Sequence, residues 1–396
     1  MDTDLSGAIS RIRAIDTHTH HLPDAFFEGF NLNRLLEKSY VAWCGAAFDS
    51  TRESRKRYLD LVRSKSYFVW LLKSIKALYG IDKDLSPDNW DAFSAVIEKA
   101  HSRPEWRKSV LTGICGYDRM ILDAYWDPGS DNSDKMLFAP TFRIDPLFFG
   151  YSRGAADHDG NSVFGLYGQD FGDLDAFMDF TRQLITQRVR GGCVAIKNAI
   201  AYDRGLDFSD VSKNQAVLAF SDPSAQNVKA FQDWFFSEVC ALAAELDVPV
   251  QCHTGLGCLD GTRAINLRNI ISRHPRTRFV LFHGGFPWTD DVLALLHYFP
   301  NVYADICWLP LLSPDIAVHT LHRMIEVATA DRICWGCDTW TAEESFGARL
   351  AVNSVLASVL NEKNRSGYIT KSEAERLAHN ILRHNAAMLY RLNESI

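Results

Sequence analysis

The chain has no long apolar run, no excess of positive charge and no paired-cysteine framework. No hydrophobic stretch reaches the ~20 residues that a membrane-spanning helix needs. The opening Met1-Asp2-Thr3-Asp4 has neither the basic region nor the apolar core of a secretory signal. Lys and Arg together number 42 against 49 Asp and Glu, for a net charge of -7. That balance argues against nucleic acid or an anionic membrane as the main partner. It leaves a small anionic substrate open, because a pocket needs only local positive charge. The nine cysteines are an odd number and are scattered, with Cys334 and Cys337 the closest pair. Most sit in apolar, strand-like runs (Cys193, Cys252, Cys307, Cys334), where a thiol behaves as a small hydrophobe. A soluble protein of the reducing cytoplasm is expected, without disulfides.

Repeats and low-complexity segments are also missing, but one rhythm recurs through the 396 residues. Short apolar, β-branched runs end on a polar residue and give way to helical patterns. The runs are Ile12 to Thr17, Arg119 to Asp123, Met136 to Arg143, Cys193 to Lys197, Val248 to His253, Phe279 to His283, Val302 to Asp305 and Arg332 to Asp338. Helical periodicity covers Ala225 to Leu246, Thr262 to His274, Thr289 to Phe299 and Pro314 to Ala328. Eight strand-helix alternations predict an α/β fold, a (β/α)8 TIM barrel, over a single domain spanning 1–396. The gap between the first two strands is far longer than an ordinary crossover. It holds helical patterns at Asn31 to Tyr40, Ser54 to Leu78 and Asp88 to Ser109, so a helical insertion is expected at about 30–110, after the first strand. An amphipathic segment, Ser372 to Leu392, is expected to pack back on the barrel.

The first strand runs into Asp16-Thr17-His18-Thr19-His20. Residues two apart on a strand share a face, so His18 and His20 project side by side as half of a divalent-metal site. Barrel active sites lie at the C-terminal strand ends. In chain order those ends add Lys197, His253, His283 and Asp338. His253 and His283 each close a buried strand and are followed within two residues by glycine; singly, either reads more readily as a hydrogen-bonded core histidine. Asp338 fits a helix cap, a metal ligand or a proton acceptor. Lys197 fits a salt bridge, a substrate-binding cation or, carbamylated, a bridge between two metals.

In this order, His18-x-His20, Lys197, His253, His283 and Asp338 resemble the amidohydrolase superfamily. The likeness is closest to its amidohydrolase-related branch, with uronate isomerase-like and aminocarboxymuconate-semialdehyde decarboxylase-like proteins. It runs over essentially the whole chain apart from the insertion. Lys197-Asn198-Ala199-Ile200-Ala201-Tyr202-Asp203-Arg204-Gly205-Leu206 is similar to a segment of amidohydrolase-like units fused to glutamine-synthetase-like domains, with the arginine one place later. The resemblance implies that His18, His20, His253 and Asp338 hold a catalytic divalent ion. It implies that His283 binds a second ion or contacts substrate, and that Lys197 decides between one and two ions.

Zinc is the expected cofactor, and such an ion activates water and polarises a carbonyl. The expected activity is metal-dependent hydrolysis of an amide, ester or lactone in a small carboxylate-bearing molecule. Asp338 then moves the proton, and His283 steadies the oxyanion or ligates metal. A non-oxidative decarboxylase, a sugar-acid isomerase and a non-catalytic metal-binding module are the alternatives. Arg143 is the candidate carboxylate clamp, or else a structural salt bridge. Tyr202, Arg204, Trp308 and Trp340 are candidate substrate contacts, the aromatic ones forming either a wall for a ring or ordinary packing. A small molecule is the expected partner; the insertion, with its aromatic Tyr58, Tyr67, Phe68, Trp70 and Tyr79, is expected either to cap the mouth of the site or to build a self-association interface.

Overall fold

The computed structural model describes residues 4–392; Met1–Thr3 and Asn393–Ile396, the ends of the predicted domain, lie outside the described residues. Eight strands follow one another in a single sheet ordered β1 to β8. They are β1 Ala14–Thr19, β2 Tyr117–Leu122, β3 Phe138–Arg143, β4 Ala195–Asn198, β5 Val250–Cys252, β6 Phe279–Leu281, β7 Val302–Asp305 and β8 Ile333–Cys334. The pairs from β3 through β8 are parallel, and helices separate them, which is the (β/α)8 order. β1, β3, β4, β5 and β6 are buried at every residue, as expected of parallel strands covered on both faces.

All eight predicted strands occur, but their ends differ. The first lies two residues further on, so His18 falls inside the strand. The last is two residues long rather than seven, because the backbone from Trp335 onward leaves the strand geometry. No described helix is long and apolar enough to cross a membrane.

The chain packs as two compact units. The first comprises the chain up to Met120, Cys307–His322 and Trp335–Arg383. It contains β1 and the insertion, whose helices are Leu32–Glu37, Arg52–Val62, Ser66–Tyr79, Trp90–His101 and Trp106–Ser109. The single periodic stretch expected from Ser54 to Leu78 is two helices, broken where Lys65 turns extended (φ -73°, ψ 131°). Apolar residues on both sides of the break are buried (Tyr58, Val62, Phe68, Leu71), so the pattern continues through it. Ser66–Tyr79 lies along the long helix Ala342–Arg365, which begins at a Thr341 cap accepting the Glu344 N–H at 3.3 Å.

The first turn of that helix buries two carboxylates. Glu343 accepts the Tyr79 hydroxyl at 2.6 Å and His101 Nε2 at 2.7 Å, both from the insertion. Burial pushes its carboxyl up, but His101 and the two hydrogen bonds outweigh this and hold it below the usual range. Glu344 accepts the Tyr40 N–H at 2.9 Å, and burial pushes its carboxyl up to about 8.

The second unit comprises Ile121–Ile306, Arg323–Cys334 and the chain from His384. Its register sets Arg143 level with Lys197, and Lys197 level with Gln251. The tail docks here: Asn385 Nδ2 donates to the Ile333 carbonyl at 2.8 Å, and Gln251 Nε2 donates to the Tyr390 hydroxyl at 3.0 Å.

The two buried carboxylates should respond differently to perturbation. His101→Ala leaves the Glu343 charge buried with one bond fewer and should cost about 3 kcal/mol in equilibrium denaturation. Glu344 has a folded pKa near 8 against 4.5 for an ordinary glutamate, so the fold holds its proton more tightly than the unfolded chain does. Its contribution to stability is complete below about pH 4.5 and is lost as pH rises toward 8. Melting temperature should fall over that window, and Glu344→Gln should reduce the fall.

Candidate metal centre

Alternation along β1 puts the rings of His18 and His20 on one side, their centroids 4.6 Å apart at 80°. The chain beyond β8 runs alongside. Thr17 donates its N–H to Trp335 O at 3.4 Å, Asp338 to His18 O at 2.7 Å, and His20 to Thr339 O at 2.9 Å. Beneath the pair, Asp16 Oδ1 accepts the His18 N–H at 3.1 Å and the Cys337 N–H at 2.8 Å. Gly336 permits this approach: a Cβ there would stand 2.6 Å from His18 N and 2.7 Å from Thr17 Oγ1.

Asp338, four residues past β8, has φ +57°, a left-handed conformation uncommon outside glycine, asparagine and aspartate. Its Oδ1 lies 3.4 Å from His18 Nε2 and 3.2 Å from His20 Nε2. One ligand atom from each of the three residues lies within 4.8 Å of the others, and all three are buried. Two imidazoles and a carboxylate brought this close, away from water, are a donor set suited to a divalent transition ion. His21, next in sequence, turns away from this set. Its Nε2 bonds Ser345 Oγ at 2.8 Å, and burial pushes its pKa down to about 3.

Aromatic rings adjoin the three donors in the same unit. Trp340 stacks on His20 at 5.5 Å, and Tyr40 meets Trp340 edge-on at 4.9 Å. Tyr40 also stacks on Tyr67 at 5.1 Å and lies 6.0 Å from Trp308. Trp308 has φ +64°, so the exit from β7 is also left-handed.

In the second unit, His253 and His283 follow β5 and β6. His253 Nδ1 and His283 Nε2 are 3.0 Å apart, and among the described residues His253 Nε2 is buried without a hydrogen-bond partner. Burial, then the neighbouring His283, lowers the His253 pKa well below the usual value, so this imidazole is neutral, as a ligand must be. The glycine after His253 is required, since a Cβ on Gly255 (φ +94°) would sit 1.8 Å from the Phe286 carbonyl oxygen. His283 itself has φ +63°.

Lys197 is buried with its Nζ 4.0 Å from the centroid of the Phe282 ring. That face attracts a cation and opposes an anionic carbamate. Arg143 is buried among carboxylates: Asp145 at 2.8 Å, Asp123 at 3.3 Å and Asp159 at 3.7 Å, with His158 Nε2 at 3.3 Å. Arg204 pairs with Asp233 at 2.8 Å and donates to the Gly205 carbonyl at 2.9 Å, tying its loop to the helix Ala225–Leu246. Tyr202 lies between two imidazoles, 4.5 Å from His253 and 4.7 Å from His158.

Sequence reasoning missed Glu344, Tyr40 and His158. For Glu344 a signal existed: Thr341-x-x-Glu344 is a helix-start signature shortly after Asp338 begins its loop. His158 sits in a loop with no periodic pattern, and its partner Asp203, 2.9 Å away, is 45 residues on.

Residues 210–392, which include His253, His283 and Asp338, match the amidohydrolase family. Protein fluG of Emericella nidulans is 28% identical over 257 residues, covering 57% of this chain and 30% of that protein's length. Uronate isomerase of Thermotoga maritima superposes with a TM-score of 0.76 at 19% identity, over 98% of this chain and 96% of that one. Glucuronate isomerase of Caulobacter crescentus does so with a TM-score of 0.77 at 15% identity, over 99% and 94%. At these identities the two isomerases share the fold. Residues 210–392 are thus similar in sequence to the amidohydrolase family, and nearly the whole chain shares the fold of these two isomerases.

Proposed function

We propose that the protein is a cytoplasmic, zinc-dependent hydrolase that cleaves an amide, ester or lactone bond in a small molecule bearing a carboxylate and a ring. The observation that carries this reading is the buried convergence of His18, His20 and Asp338. A divalent ion held by these residues supplies Lewis-acid polarisation of the scissile carbonyl. His18 and His20 are oriented toward it by the β1 backbone and by Asp16 beneath. Asp338 accepts the proton of the attacking water at its carboxylate and returns it to the departing nitrogen or oxygen. Glu344, protonated at neutral pH, adds no second negative charge that would compete with Asp338 for that proton. Trp340, Tyr40 and Trp308 present apolar faces that exclude water and accept a flat ring.

The test is turnover of aryl amides, aryl esters and lactones by zinc-loaded protein, with CO2 release from aromatic acids and uronate-to-ketose conversion assayed beside it. Hydrolysis should vanish on chelation and return with zinc. Asp338→Asn should lower it by at least about a hundredfold. CO2 release or ketose formation without hydrolysis would overturn the hydrolase reading. Gly336→Ala should push residues 336–338 away from β1 and weaken zinc retention by about ten- to a hundredfold, read by metal analysis after dialysis.

A further inference from the structure

Lys38 follows the helix Leu32–Glu37 and is half-buried. Its Nζ lies 5.8 Å from the centroid of Trp340, the same ring that stacks on His20. Among the described residues no carboxylate lies within ion-pair distance of Lys38. This contrasts with Arg143, which three carboxylates surround. A half-buried ammonium that lacks an anion has given up part of its hydration without a full replacement, and a π face compensates only partly.

We infer that Lys38 is the anion-binding end of the substrate site, taking the carboxylate of an aromatic acid whose ring lies against Trp340 and whose scissile group reaches His18, His20 and Asp338. The assignment rests on the proposal that those three residues hold the reacting ion. It specifies the substrate further: the carboxylate stands about one aromatic ring away from the bond that breaks.

Two features of the surroundings agree. Glu344 is the acidic side chain whose charge bears on Lys38, and burial pushes its own carboxyl up to about 8, which weakens that compensation at neutral pH. Burial also lowers the Lys38 pKa, a cost that an arriving carboxylate would relieve. As a plain surface lysine, Lys38 would only complement the end of a six-residue helix, and its removal would not discriminate between ligands.

The experiment uses zinc-loaded full-length protein and two metal-chelating probes that differ by one charge, para-carboxybenzohydroxamate and its neutral analogue para-carbamoylbenzohydroxamate. Isothermal titration should show the carboxylate probe binding at least about tenfold more tightly to the unaltered protein, as a charge-assisted contact implies. Lys38→Gln should abolish that preference and leave the neutral probe's affinity unchanged, while Lys38→Arg should retain it. Equal affinities in the unaltered protein, or a preference surviving in Lys38→Gln, would overturn the role of Lys38 alone. If neither probe binds, or the protein retains no zinc, the metal-centre reading fails and the assignment of Lys38 fails with it.

Discussion

The candidate centre depends on one close passage of backbone. The segment Gly336 to Thr339 runs so near β1 that a single methyl group at Gly336 would collide with the His18 amide. The hydrogen bond from Asp338 N–H to His18 O is the shortest of the three backbone bonds joining the two segments, at 2.7 Å. It fixes the height of the aspartate relative to the histidines. Asp16 fixes the same height from below, because one of its oxygens accepts an amide from each segment. Residues more than 300 positions apart are thus held in register by main-chain geometry rather than by long side chains. Such fixing serves a ligand set well, since donors already in place lose little freedom when an ion arrives.

Buried charge elsewhere is answered in more than one way. Glu343 is satisfied by His101 and Tyr79, and Arg143 by Asp123, Asp145 and Asp159. Both networks answer desolvation with nearby opposite charge or hydrogen bonds. Glu344 answers it by keeping its proton. Lys38 lies beside the face of the Trp340 ring, and it stands next to the residues that carry the candidate chemistry.

Much of the fold was legible because parallel strands buried on both faces produce apolar runs that end where the chain meets solvent or a ligand. That logic located all eight strands and selected His18, His20, His253, His283 and Asp338. Periodicity was less informative about breaks. The two helices on either side of Lys65 read as one, since each buries the same kind of face. Side chains committed to distant partners were not legible at all. Arg143 presents the same letter whether it grips a substrate or three aspartates, and only the folding of the loop carrying His158 and Asp159 decides. The pairing of Glu343 with Tyr79 and His101 likewise depends on how the insertion folds over a helix far along the chain.

His283, Trp308 and Asp338 all leave their strands through a left-handed residue. A side chain set by such a step takes its direction from the hand of the backbone, and changing its rotamer cannot reproduce it. The loops beyond these strands can therefore be exchanged in length and composition only if the residue two to four positions past each strand keeps that positive φ. Diversification of this barrel, natural or engineered, is channelled to positions downstream of those three residues, with the exits themselves acting as fixed sockets.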